Sequence, residues 1–247
     1  MMRTGNPVLS AKAWSQFATD ADRPTAMTVQ GTVNKTAVLL ALVLLPAAVT
    51  WHWAATRPEV ILPWMWGGLI AGLVLALVTI FKKTWAPVTA PLYALAEGVF
   101  LGAISSLFNQ VYPGIVVQAV ALTFGVCFCM LAIYKMRIIR ATERFKMGVV
   151  SATGAIFLVY MVTIGLGLFG VRVPYIHGSG LIGIGFSLVV VVIASLNLVL
   201  DFDFIEKGAA AGAPKYMEWY GAFGLMVTLI WLYLELLRLL AKLNSRR

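Results

Sequence analysis

Hydrophobic residues along this 247-residue chain fall into seven long runs, each parted from the next by a short polar or proline-containing break. The runs cover residues 36–55, 60–81, 87–108, 114–134, 148–171, 180–200 and 219–240. Each is long enough for a helix across a hydrocarbon core about 30 Å thick. None shows the period-two alternation of a membrane β-barrel strand, so the pattern predicts an all-α fold, a polytopic membrane bundle of seven transmembrane helices. The breaks, among them Thr56-Arg57-Pro58, Lys82-Lys83, residues 109–113 and Val173-Pro174, are too short to hold a soluble catalytic domain. The first 35 residues are mixed and polar, with Pro7, Asp20, Asp22 and Pro24, and read as a cytoplasmic tail, partly disordered. The first apolar run starts too late for that tail to be a cleavable signal. The expected organisation is a tail over 1–35, a seven-helix membrane domain over 36–241 and a basic C-terminal tail over 242–247.

Composition agrees with this pattern. The chain is 61% hydrophobic and 12% charged, about half the charge fraction of an ordinary soluble domain, and its mean hydropathy is +0.90. A net charge of +9 raises the question of nucleic acid, but the basic residues flank the apolar runs instead of forming a groove-binding stripe. With the N-terminus inside, the inner segments hold Arg3, Lys12, Arg23, Lys35, Lys82 and Lys83, the basic residues of 135–146, Lys207 and Lys215. The outer loops of the first six spans hold Arg57 and Arg172. This asymmetry orients the spans. A seventh full crossing puts Arg238, Lys242, Arg246 and Arg247 outside, against the pattern; a re-entrant last segment would keep them inside. The 22 predominantly apolar residues of the last run favour a full crossing.

Five acids lie inside or at the edge of the runs: Glu97, Asp201, Asp203, Glu206 and Glu235. Glu97 sits midway along an otherwise uncharged stretch, where a carboxylate costs roughly 2.5–3.5 kcal/mol on insertion scales. Every Lys and Arg is far from it in sequence, so it must be protonated, pair with another helix or line a wet cavity. Competition between proton and cation at such a group is a physical basis for a pH-gated cation path. Asp201 has no basic residue three or four positions away and shares a helix face with Asn197. Asp203 has Lys207 four residues on, and with Glu206 reads as an interfacial charge. Glu235 lies deep in the last run with Arg238 three residues on, a local pair that could snorkel to the interface.

Two glycine pairs, Gly68/Gly72 and Gly98/Gly102, have the GxxxG spacing that lets helices approach closely, which predicts tight packing of the second and third spans. Pro63 and Pro91 are candidate kinks. Cys127 and Cys129 point to nearly opposite helix faces and read as packing residues, not a disulfide or a metal clip. His52 and His177 belong to no HExxH, Asp201 and Asp203 diverge by about 200° on an ideal helix, and no phosphate-binding loop is present. Enzyme activity and a resident cofactor are not expected.

The run Ala96-Glu97-Gly98-Val99-Phe100-Leu101-Gly102 resembles the "EGxxLG" signature of the third helix of the Bax inhibitor-1 family. Gln118-Ala119-Val120 with Thr123-Phe124 is similar to that family's next segment. Leu200-Asp201-Phe202-Asp203-Phe204-Ile205 is similar to its sixth-helix motif, and Leu232-Tyr233-Leu234-Glu235 to its last-helix "LYLD". The resemblance covers nearly the whole chain after the tail. It implies a bundle that leaks calcium under pH control, with a hydrogen-bonded carboxylate pair on the last two helices as sensor and latch. Carried over, the pair is Asp201 and Glu235, with Glu218 the alternative second acid in a shifted register and Lys82 or Lys83 the nearest counterpart of a basic latch partner.

The resulting expectation is a passive, pH-sensitive cation leak with Glu97 on or beside the path, calcium as permeant ion and no cofactor. The alternative is a non-transporting regulator that binds a membrane protease or other membrane partner; a proton-coupled carrier stands third, without an inverted repeat to support it. The expected surroundings are a lipid bilayer, as a multi-pass protein of a bacterial plasma membrane, and no nucleic acid.

Overall fold

The computed structural model describes residues 26–170, Gly178 and 180–246. Among them seven helices are long and apolar enough to cross a membrane: α1 (Val29–Thr56), α2 (Ile61–Phe81), α3 (Ala86–Val111), α4 (Ile115–Lys135), α5 (Glu143–Leu168), α6 (Leu181–Ala210) and α7 (Met217–Asn244). The described residues contain no strand, and their one bridge joins Ala26 to Pro214. Residues 1–25 of the expected tail, and Arg172, Val173-Pro174 and His177, lie outside the described residues.

Helix ends follow capping, whereas hydropathy marks where apolar runs stop. α1 begins seven residues before its apolar run because Thr28 Oγ1 caps it, accepting from the Gly31 amide at 2.9 Å. α5 begins at Glu143 under a similar cap, with Thr142 Oγ1 accepting from Phe145 at 3.3 Å. α6 runs ten residues past Leu200, carrying Asp201, Asp203 and Glu206 in helix, with Lys207 paired to Asp203 at 2.8 Å. Gly114, with φ of 83°, occupies the left-handed turn before α4, and its amide donates to Asn109 Oδ1 at 2.9 Å. Of the two candidate kinks, Pro63 falls in the first turn of α2, where an amide has no intrahelical acceptor to lose. Pro91 lies inside α3, and Pro46 inside α1.

The chain forms two compact units. The first comprises Met1–Ile104, described from Ala26, and Asp203–Met226. Here the glycine pairs set the packing. A Cβ on Gly68 would stand 2.8 Å from the Ala96 carbonyl oxygen and the Phe100 nitrogen, so α2 lies directly on the α3 backbone. Gly98 and Gly102 face α1 instead: their missing Cβ atoms leave room for Val43, Pro46, Ala47 and Thr50. The spacing predicts one contact for both pairs; they build two, because successive positions on α3 differ by about 100° in direction. Met27 packs with Ile205 and Ala213 at the foot of the unit.

The second unit comprises Ser105–Phe202 and Val227–Arg247. Tyr233 and Ser105 share a buried hydrogen bond of 2.6 Å. Asn197 of α6 donates to Thr153 of α5 at 2.8 Å, and Tyr134 of α4 packs on Phe202 at 5.9 Å between centroids. Of the seven spans, α7 is the most enclosed and α5 the least. Large apolar side chains such as Leu44, Leu45, Ile70, Val117, Phe157, Leu158 and Ile182 are exposed, as suits surfaces that face lipid.

Candidate functional site: acids enclosed in the spans

Glu97 is buried on α3, and its surroundings follow from the residues one turn away and across the α2 contact. Tyr93, one helical turn earlier, lies beside its carboxylate, and the Tyr93 ring stands edge-on to Phe223 at 5.0 Å. Glu97 Oε1 occupies the space over Gly72, 2.8 Å from where a Cβ would be. Among the described residues Glu97 has no ion pair. The Glu-Gly pair at 97–98 therefore has two separate tasks: the acid reaches toward α2 while the glycine admits α1.

Thr228 of α7 lies beside the Asp201 carboxylate. Its Oδ2 is buried and has no hydrogen-bond partner. Asn197, on the same face, is engaged with Thr153 and with the Ile193 carbonyl at 2.9 Å, which leaves it turned to α5 and its own backbone. The Cys127 thiol of α4 lies within electrostatic reach of Asp201. Cys127 is half-buried and Cys129 exposed, both as free thiols.

Glu235 sits elsewhere on α7, seven residues beyond Thr228 and about 10 Å further along the helix. Its Oε1 accepts from Tyr160 of α5 at 2.8 Å and from Arg238 at 2.8 Å. Arg238 also donates to the Tyr160 hydroxyl at 2.9 Å and lies over that ring at 5.4 Å. Glu235 Oε2 is buried without a hydrogen-bond partner. The structure thus gives the two acids expected to form a latch different partners. Asp201 meets α7 two turns before Glu235, and the local Glu235–Arg238 pair is the one that forms. One turn on, Lys242, read from sequence as the start of a basic tail, is buried within α7 and donates to the Gly183 carbonyl at 3.0 Å and Ser187 at 2.9 Å.

Glu218, the alternative second acid, belongs to a different arrangement at the start of α7. It is fully buried and accepts from the Thr28 amide at 2.9 Å and the Thr28 hydroxyl at 3.0 Å. It also pairs with Lys215 at 2.8 Å and with Lys35. With Met27 N donating to the Ala213 carbonyl at 2.6 Å, it fastens the start of α1 to the α6–α7 link. Gly31 is glycine for the same reason, since a Cβ there would overlap the Glu218 carboxylate. Of the remaining candidates, Asp203 holds Lys207, and Lys83 lies over the Tyr220 ring at 5.4 Å. Lys82 forms the C-terminal cap of α2.

Seven apolar helices with carboxylates enclosed among them define a multi-pass membrane protein. The chain belongs to the Bax inhibitor 1 like family, whose model matches residues 6–245. No curated protein and no solved structure matches the chain.

Proposed function

We propose that the protein is a passive, pH-sensitive leak for cations, calcium among them, in which Asp201 is the group that titrates and Glu97 lies beside the ion path. The observation that carries this reading is the Asp201 carboxylate itself: no cation pairs with it among the described residues, and its Oδ2 is buried without a hydrogen-bond partner. Such a group is uncomfortable when charged unless water, a proton or a cation reaches it. A change in its protonation therefore alters the balance between a packed arrangement and a wetter one, the behaviour expected of a two-state switch. Glu97, beside Tyr93 and free of ion pairs among the described residues, supplies a second intramembrane oxygen donor of the kind hard cations prefer. The protein would sit in a plasma membrane with its N-terminus in the cytoplasm, as the basic residues of the inner segments direct.

Calcium flux into dye-loaded liposomes, followed as pH is stepped from acidic to alkaline, tests the reading. The wild type is expected to exceed empty liposomes and to change with pH. Asp201→Asn is expected to conduct without that change. An Asp201→Asn profile identical to wild type would remove Asp201 from the gate, and folded protein without flux at any pH would favour a non-transporting regulator of a membrane partner.

A further inference from the structure

The two glycines that α2 sets against α3 are not equivalent. Gly68 and Gly72 are both buried on α2, one turn apart. A Cβ on Gly68 would stand 2.8 Å from the Ala96 carbonyl oxygen and from the Phe100 nitrogen, atoms of a helix backbone that cannot give way. The three nearest neighbours of a Cβ on Gly72 would all belong to the Glu97 side chain: Oε1 at 2.8 Å, Cδ at 3.3 Å and Cγ at 3.6 Å. The acid therefore lies along the α2 backbone over its outer three atoms, in the space where a side chain is missing. Glu97 is buried and has no ion pair among the described residues. A glycine inside a helix is less stable than an alanine. At 68 the close approach of two backbones accounts for it; at 72 the group that needs the room is a carboxylate.

We propose that Gly72 is a positioning residue for Glu97: α2 seats the acid at a gap in its own side chains, and this seat fixes where the carboxylate stands in the span. The acid is carried by α3 and the seat by α2, so a slide of one helix over the other moves the carboxylate. A methyl at 72 fills the seat. Because the atoms it meets are the end of a flexible side chain, the carboxylate turns aside while the helices stay packed. A methyl at 68 has no such outlet and parts the helices.

The consequence for flux rests on the leak reading, in which Glu97 lies beside the path, but the seat is tested apart from it. The infrared difference between wild type and Glu97→Gln in liposomes isolates the Glu97 carboxyl band. Gly72→Ala is expected to shift that band while keeping the thermal unfolding midpoint in detergent near that of wild type, whereas Gly68→Ala should lower the midpoint clearly. Calcium flux into dye-loaded liposomes should fall several-fold in Gly72→Ala, and should fall no further when Gly72→Ala is added to Glu97→Gln. Should Gly72→Ala fail to fold, adding Glu97→Ala removes the atoms in the way and is expected to restore folding. An unmoved band overturns the inference, as does a double variant that still fails to fold, or a flux loss equally large in the Glu97→Gln background. A shifted band without flux from any protein supports the seat and counts against the leak alone.

Discussion

Tyr93 and Glu97 are one helical turn apart, so their side-by-side placement follows from i, i+4 geometry and was within reach of the sequence. The Glu235–Arg238 pair is legible for the same reason. Asp201 and Thr228 are different: they lie 27 positions apart on two helices, and only the register of α6 against α7 brings them together. The Leu-Tyr-Leu-Glu run pointed to Glu235 as the second acid, and packing sets that acid beside Tyr160 and Arg238. Tyr160 was equally hidden, since nothing in an apolar run says which tyrosine meets an acid on another helix. These distinctions separate the roles of the acids. Glu97→Gln should lower calcium flux in liposomes while leaving its pH midpoint in place, because the change removes a charge beside the path and keeps the gate. Arg238→Ala should lower the unfolding midpoint in detergent more than the double change Glu235→Gln with Arg238→Gln, because the single change leaves a buried carboxylate without its cation.

At the scale of elements, the seven runs already marked seven helices; the ends and the contacts needed more. Thr28 and Thr142 set helix starts that hydropathy misses, and the acids after Leu200 remain helical although the apolar run has ended. The glycine spacing announced close packing but not the partner: Gly68 and Gly72 of α2 pack against α3, and Gly98 and Gly102 of α3 against α1. This yields a sharp contrast among glycines. Gly98→Ala forces a Cβ against the Val43 backbone and the Pro46 ring and should lower the thermal unfolding midpoint in detergent clearly. Gly154→Ala, with nothing within 4 Å, should leave it unchanged or raise it, as a helical alanine replaces a glycine. The Glu218 fastening belongs to this scale too. Glu218→Ala strands Lys35 and Lys215 and the Thr28 donors, and a cost of about 2–3 kcal/mol is expected, below that of a fully enclosed pair because the lysines reach water. Limited proteolysis ahead of α1 should then speed up, whereas unchanged cleavage would mean that the foot of α1 is held by Met27 instead.

For the molecule as a whole, hydropathy and the scarcity of charge were enough for the class, and the order of short motifs was enough for the family that the match over residues 6–245 establishes. Function is written less openly, because it depends on which carboxylate keeps an unsatisfied oxygen with no cation beside it, a property of packing that no motif states. The proposed orientation puts the start of α1 in the cytoplasm and the end of α7 across the membrane, so reporters fused at the two termini should report opposite sides. The central claim is that protonation of Asp201 controls a cation leak. Calcium flux through wild type and Asp201→Asn in dye-loaded liposomes, measured across a pH series on protein shown to be folded, tests it most directly. A pH-dependent flux in the wild type that becomes pH-independent in Asp201→Asn is the predicted result. Flux with the same pH profile in both, or none in either, would contradict it.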